Sequence, residues 1–194
     1  MRIKTIAPSL LLALSLSFVS NAVAQRQTFT VEPPSSEVSF SLGATLHPVH
    51  GTFHVQSGSI DFDPSSATIS GSILVAAGSG TSGNETRDHE MTTEILNASQ
   101  FATVSFGPKS YQGTIAPTGE STVQVTGTFS LHGTAHELTV PVQISIDGTK
   151  CTVKAHLSVP FVKWGLKDPS TFMLHVDKNV ELELTMAGRL APVS

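Results

Sequence analysis

Beyond residue 25, apolar and polar residues alternate along most of the chain, the period of half-buried β-strands. Val38, Phe40 and Leu42 alternate with serines, and Phe53 and Val55 alternate with Thr52 and His54. Ile60 and Phe62 follow Gly58. Ile69, Ile73 and Val75 continue the pattern with Leu74 out of phase, and Val104 and Phe106 form a short segment. The longest alternation is paired. Val123, Val125, Phe129 and Leu131 are followed by Leu138, Val140, Val142, Ile144 and Ile146, with Gly133, Thr134 and Ala135 between them. This predicts a hairpin with a short loop. Pro141 has no N–H to give to a ladder, which predicts an open side on its strand. After the turn signal Asp147-Gly148 come three more alternating segments: Val153 to Phe161, Phe172 to Val176, and Val180 to Met186.

One stretch has the period of a helix. Asn84 is placed to cap it, Glu85 sits in its first turn, and Met91, Ile95 and Leu96 share one face, predicting a helix over residues 85–96. A single short helix among alternating strands points to an all-β sandwich or closed barrel rather than a parallel α/β sheet.

The first residues have a different layout. Arg2 and Lys4 precede an apolar run from Leu10 to Val19, and Ala22 and Ala24 form a small-x-small cleavage site. This predicts a secretory signal peptide over residues 1–24 and a single mature domain over residues 25–194, located in the periplasm or secreted. The run is about half the roughly 20 residues a bilayer needs, so no stable membrane insertion is expected. With 11 basic and 15 acidic residues and a net charge of −4, the chain has no general attraction to nucleic acid. Its single cysteine, Cys151, cannot form an internal disulfide, and a buried unreactive thiol is the favoured reading.

Several motifs carry chemistry elsewhere but not here. Gly78, Gly80 and Gly83 follow a strand and precede the helix as a dinucleotide fingerprint would, yet no acidic residue lies within Ser99–Phe106. They are read as a loop. Asp61 and Asp63 flank Phe62 ahead of Pro64 and read as a turn entry. Arg87, Asp88 and His89 are charged neighbours at the helix start, but consecutive helical residues diverge, so a cap or a head-group contact is favoured over acid–base catalysis. No Gly-x-Ser-x-Gly elbow is present and no catalytic residue is assigned. Four histidines, His47, His50, His132 and His136, are the candidates for an alternative metal site, although no cysteine or carboxylate stands at a zinc-motif spacing. No cofactor is expected.

Taken in order, these segments resemble the YceI family of bacterial lipid-binding proteins. The blocks that carry the resemblance are Ser36-x-Val38-x-Phe40-x-Leu42, Gly51-x-Phe53, Gly58-x-Ile60-x-Phe62, Arg87-Asp88-x-x-Met91 and Phe101-x-x-Val104-x-Phe106. They continue with Gly127-x-Phe129-x-Leu131-His132-Gly133-x-x-His136-x-Leu138, Trp164-Gly165-Leu166 and Val180-x-Leu182-x-Leu184. The resemblance implies an extended, lipocalin-like antiparallel β-barrel with a long apolar cavity. It also implies an isoprenoid or fatty-acid/amide-like ligand, a periplasmic location and frequent dimers.

A non-catalytic carrier or buffer is therefore expected, with a metal protein or a ligand-free stress-related structural module as alternatives. On apolar parity the candidate cavity liners are Phe40, Leu42, Phe53, Phe62, Ile73, Phe106, Phe129 and Trp164. Met91 and Ile95 would cover one end, and Arg87 and His89 would supply polar contacts at the mouth.

Overall fold

The computed structural model describes residues 25–193 except 46 and 173. Ten strands lie in chain order: β1 (Gln27–Val31), β2 (Glu37–Leu42), β3 (Val49–Phe53), β4 (Val55–Asp63), β5 (Thr68–Ala76), β6 (Thr103–Gln112), β7 (Gly119–Leu131), β8 (Thr134–Asp147), β9 (Lys150–Val159) and β10 (Val180–Pro192). All pairings are antiparallel. β1 and β2 run end to end along β10, and β3 leads almost directly into β4, so ten segments make an eight-stranded barrel closed by the β1–β10 pairing.

The break between β1 and β2 has a local cause. Pro33 and Pro34 impose a 3-10 turn and supply no N–H. The ladder is stitched across it by Ser36, whose hydroxyl accepts from the Ala187 amide at 3.0 Å and donates to the Ala187 carbonyl at 3.2 Å. β1 itself alternates, with Phe29 and Val31 buried and Thr30 exposed, but it is only five residues long.

The longest hairpin is tighter than its sequence predicts. β7 and β8 are joined by His132 and Gly133 alone, both at positive φ (51° and 74°). Two left-handed residues match the right-handed twist of the flanking strands. Pro141 lies where the open side was expected. β8 pairs with β9 only from Val142 (opposite Ala155) to Asp147, so Pro141 and everything above it has no partner on that edge.

Two expectations change. Phe172, Leu174 and Val176 are not in a strand. They lie in the long β9–β10 connection, where an isolated bridge joins Ala44 to Val176. Phe172, expected to be half-buried, is fully exposed, because the connection leaves the barrel wall after Val159. The helix lies where expected but is not uniform. α1 (Glu85–Glu90) widens into a π turn over Met91–Ile95, where the Leu96 amide donates to the Met91 carbonyl. Among the described residues no helix is long and apolar enough to cross a membrane.

A glycine fixes the β4–β5 register. Gly71 lies opposite Ile60 at φ +117°, and a Cβ there would run into the Ser59 carbonyl oxygen. Gly71→Ala is expected to lower stability by about 2 kcal/mol or more, read as a lower urea midpoint at unchanged slope.

Candidate functional site

The inward faces of the strands enclose a cavity of about 270 Å³ that runs the length of the barrel. It falls just below the roughly 300–1,000 Å³ common for ligand pockets. Three clusters of buried residues form its walls. One gathers Phe29, Phe62 and Met186, a second Tyr111, Val123 and Val142, and a third Phe129, Val159 and Phe161. Among the lining residues only Ser105, Tyr111 and Cys151 carry a polar side-chain atom, and none carries a charge. The Tyr111 hydroxyl donates to the Asp63 carbonyl at 3.4 Å, beside the β4–β5 turn. The Cys151 thiol is buried, and desolvation pushes it up to about 11.

The end carrying the β2–β3, β5–β6, β7–β8 and β9–β10 connections is covered by two elements. The first is α1 with its π turn, which brings Met91, Ile95 and Leu96 onto the cavity. Gly80 permits this approach, since a Cβ there would lie 2.6 Å from both Met91 Cε and the Phe53 ring. The second is the β9–β10 connection, which contributes Phe161, Leu166 and Pro169. The two are linked by Lys167 Nζ to Glu94 at 3.4 Å. The connection is also tied to the β2–β3 loop by Thr45 N to His175 O at 3.0 Å and Asp177 N to Gly43 O at 2.9 Å.

The side chains expected at the site divide accordingly. Phe40, Leu42, Phe53, Phe62 and Ile73 line the cavity, as do Met91, Ile95, Phe106 and Phe129. Trp164 does not. Its indole lies flat on the His136 imidazole, with centroids 3.9 Å apart and planes at 4°, and tilts against Phe129 at 5.8 Å. Arg87 and His89 are exposed and off the cavity. Arg87 stands one turn before Met91, yet its guanidinium turns back to donate to the Ser82 hydroxyl at 2.7 Å and the Ser82 carbonyl at 3.1 Å.

Asp88 completes that anchor. Its carboxylate accepts from the Ser82 amide at 2.8 Å, the Ser82 hydroxyl and the Thr81 hydroxyl. The Ser82 hydroxyl, more than any other partner, holds the Asp88 carboxyl below its ordinary range. The anchor therefore holds above the ordinary carboxylate pKa and loosens as pH falls through the lowered one. Asp88→Ala is expected to speed hydrogen exchange at the Ser82 amide by about tenfold near neutral pH, where the wild-type bond is complete.

The histidines considered for metal are dispersed. His50 is exposed on β3, His47 lies in the β2–β3 loop, and His132 packs on Phe101 at 4.4 Å in the hairpin turn. Among the described residues no group of three or more His, Cys, Asp or Glu could hold a metal ion. Asp61 accepts from Thr28 at 2.6 Å, and Asp63 accepts from the Ser65 amide at 2.8 Å at the turn, so both are structural.

Known structures share this architecture. BcnA of Burkholderia cenocepacia is 20% identical, with 81% of this chain and 99% of that chain covered and a TM-score of 0.66. A polyisoprenoid binding domain from Saccharophagus degradans, implicated in plant cell wall breakdown, is 12% identical over 84% and 98% at a TM-score of 0.64. The Campylobacter jejuni YCEI protein is 16% identical over 97% and 98% at a TM-score of 0.53. Among curated proteins none matches the chain. The YceI-like domain profile matches residues 29–187. On that match, which reaches from β1 into β10, the chain belongs to the YceI-like domain family.

Proposed function

We propose that this protein is exported and binds one apolar isoprenoid- or acyl-like chain inside its barrel, as a carrier or buffer rather than a catalyst. The observation that carries this reading is the cavity itself, a continuous apolar channel whose lining holds no charged side chain. Burying a chain there gains about 0.8 kcal/mol per methylene. The fold of a domain described as polyisoprenoid binding supports the same ligand class. A binding role is supported further by the lining chemistry: no charged or imidazole side chain lines it to act as a general base, and its one thiol, Cys151, is held in the neutral form. The N-terminal segment on which export rests lies outside the described residues.

The test is native mass spectrometry of the protein recovered from periplasm, followed by organic extraction. The expected result is a chain beginning at Gln25 that retains one lipid mass, extractable as a prenyl or acyl species. A bare mass that stays bare after incubation with such lipids would end the carrier reading.

A further inference from the structure

We propose that the ligand enters and leaves the barrel sideways, through a seam between β8 and β9, and that Trp164 is the latch of that seam. The inference rests on the carrier reading above and adds the route by which the cavity is filled.

β8 and β9 share a ladder from the Asp147–Lys150 pair to the Val142–Ala155 pair and none beyond it. The next pair in register would join Pro141 to His156, and Pro141 has no N–H to give. Above that point the two strands are held by different partners. β8 stays paired with β7 as far as Thr134, and β9 stays paired with β10 as far as Val159. Side chains alone close the wall between them. Leu138 and Val140 on one side and Leu157 and Val159 on the other all line the cavity, and Leu138 and Leu157 pack into the same two apolar clusters. Trp164 closes the top of the seam. A turn follows β9, held by the Trp164 amide on the Pro160 carbonyl at 3.0 Å and the Leu166 amide on the Phe161 carbonyl at 3.1 Å. It carries the indole from the end of β9 onto the His136 imidazole of β8.

Opening this seam breaks no ladder bond, whereas the other ways into the cavity are tied by hydrogen bonds. At the covered end, α1 is held by Asp88 on Ser82 and Thr81, and Thr81 is joined to Thr52 of β3 by two backbone bonds at 2.9 and 3.0 Å. The β9–β10 connection is tied there to Gly43 and Thr45. β5 and β6 also part below the Ile73–Phe106 pair, but the Tyr111 hydroxyl donates across to the Asp63 carbonyl, and Ile115 packs into the clusters beside it. The latch itself has little to lose on opening. His136 Nε2 is buried without a hydrogen-bond partner while the stack is closed, so water that reaches it when the rings part offsets some of the cost of exposing apolar surface. A hydrocarbon chain that slides between Leu138 and Leu157 passes a lining without charged side chains and stays in apolar contact throughout.

Stopped-flow mixing with cis-parinaric acid, an acyl chain that fluoresces only out of water, tests the route. Trp164→Ala is expected to speed both uptake and release about tenfold while the affinity stays within about threefold of wild type. Trp164→Phe, which keeps a ring over His136, is expected to exchange at close to the wild-type rates. A purely structural role for Trp164 would weaken binding without speeding uptake. Lys167→Met, which unlinks the two elements covering the end of the barrel, is expected to change neither rate. A second variant carries Thr139→Cys and Ser158→Cys, two exposed positions that the β8–β9 register places opposite each other. Joining them with a short bis-maleimide at neutral pH, where the buried Cys151 is left unmodified, is expected to slow exchange at least about tenfold. This cross-link decides should Trp164→Ala not fold. Unchanged rates in Trp164→Ala overturn the proposal, and so does exchange that survives the cross-link. Acceleration by Lys167→Met overturns it too and moves the entrance to the end under α1. If the acid does not bind wild type at all, the carrier reading fails first and this proposal with it.

Discussion

Replacing Ala155 with tryptophan is expected to abolish lipid retention while leaving the barrel folded. Ala155 is the smallest side chain lining the cavity and sits at its middle, paired with Val142 on β8 and Leu184 on β10. Its side chain packs against the cluster of Tyr111, Val123 and Val142 and also lines the cavity, so an indole there takes up space a ligand would occupy. Excluding five methylenes forfeits about 4 kcal/mol, close to a thousandfold in affinity. Overpacking usually costs about 1–3 kcal/mol, and a pre-existing void should keep the change near the bottom of that range. The check combines a decanol titration with a urea melt on the same preparation. Lost binding at a nearly unchanged midpoint is the expected pair. Full retention of ligand by Ala155→Trp would mean that the central channel is not where the chain lies.

Strict alternation made the wall legible, because one face of every strand must meet the cavity and the other must meet water. Phe40, Phe62, Phe106 and Phe129 could be placed inward on parity alone, and they line the cavity. Parity failed where the chain leaves the sheet. Phe172, Leu174 and Val176 keep the alternation of a strand, but they fall in the β9–β10 connection, where no ladder enforces a face. Trp164 fails for the same reason. It follows β9 closely in sequence, yet it belongs to the turn that crosses the β8–β9 seam. The seam itself was half-visible through Pro141, whose missing N–H marks where pairing with β9 stops.

His136 keeps phase with Leu138, Val140 and Val142, yet those three line the cavity and it does not, and Trp164 stacks on its ring. Viewed as one of several histidines around a hairpin loop, it was a metal candidate. Viewed by parity, it is a polar group at the end of an apolar row. Arg87 shows the opposite limit. Helical spacing places it with Met91 and Ile95, but its guanidinium has nearer partners in the backbone and hydroxyl of Ser82. A long side chain follows its best hydrogen bonds rather than the helix face that carries its Cα.

Cys151 offers a second large effect and an independent view of the same cavity. Its thiol is buried among apolar groups, and desolvation of the thiolate holds its pKa at about 11. An ordinary cysteine near 8.5 is about one quarter thiolate at pH 8, whereas a group at 11 is about one part in a thousand, a difference of roughly two hundredfold. Labelling of the folded protein by a small maleimide at pH 8 is therefore expected to be at least about two hundredfold slower than labelling of the urea-unfolded chain. Between pH 8 and 10 the folded-state rate should climb about tenfold per unit, since the thiolate fraction does so below the pKa. Because Cys151 lines the channel, a bound chain that reaches the lower barrel must slow labelling further, and Ala155→Trp should remove that extra protection without restoring ordinary reactivity. Fast labelling of the folded protein at pH 8 would show that the thiol meets solvent and that the barrel opens at the end where Cys151 lies. Slow labelling that decanol leaves unchanged would confine the bound chain to the half of the cavity beneath Trp164.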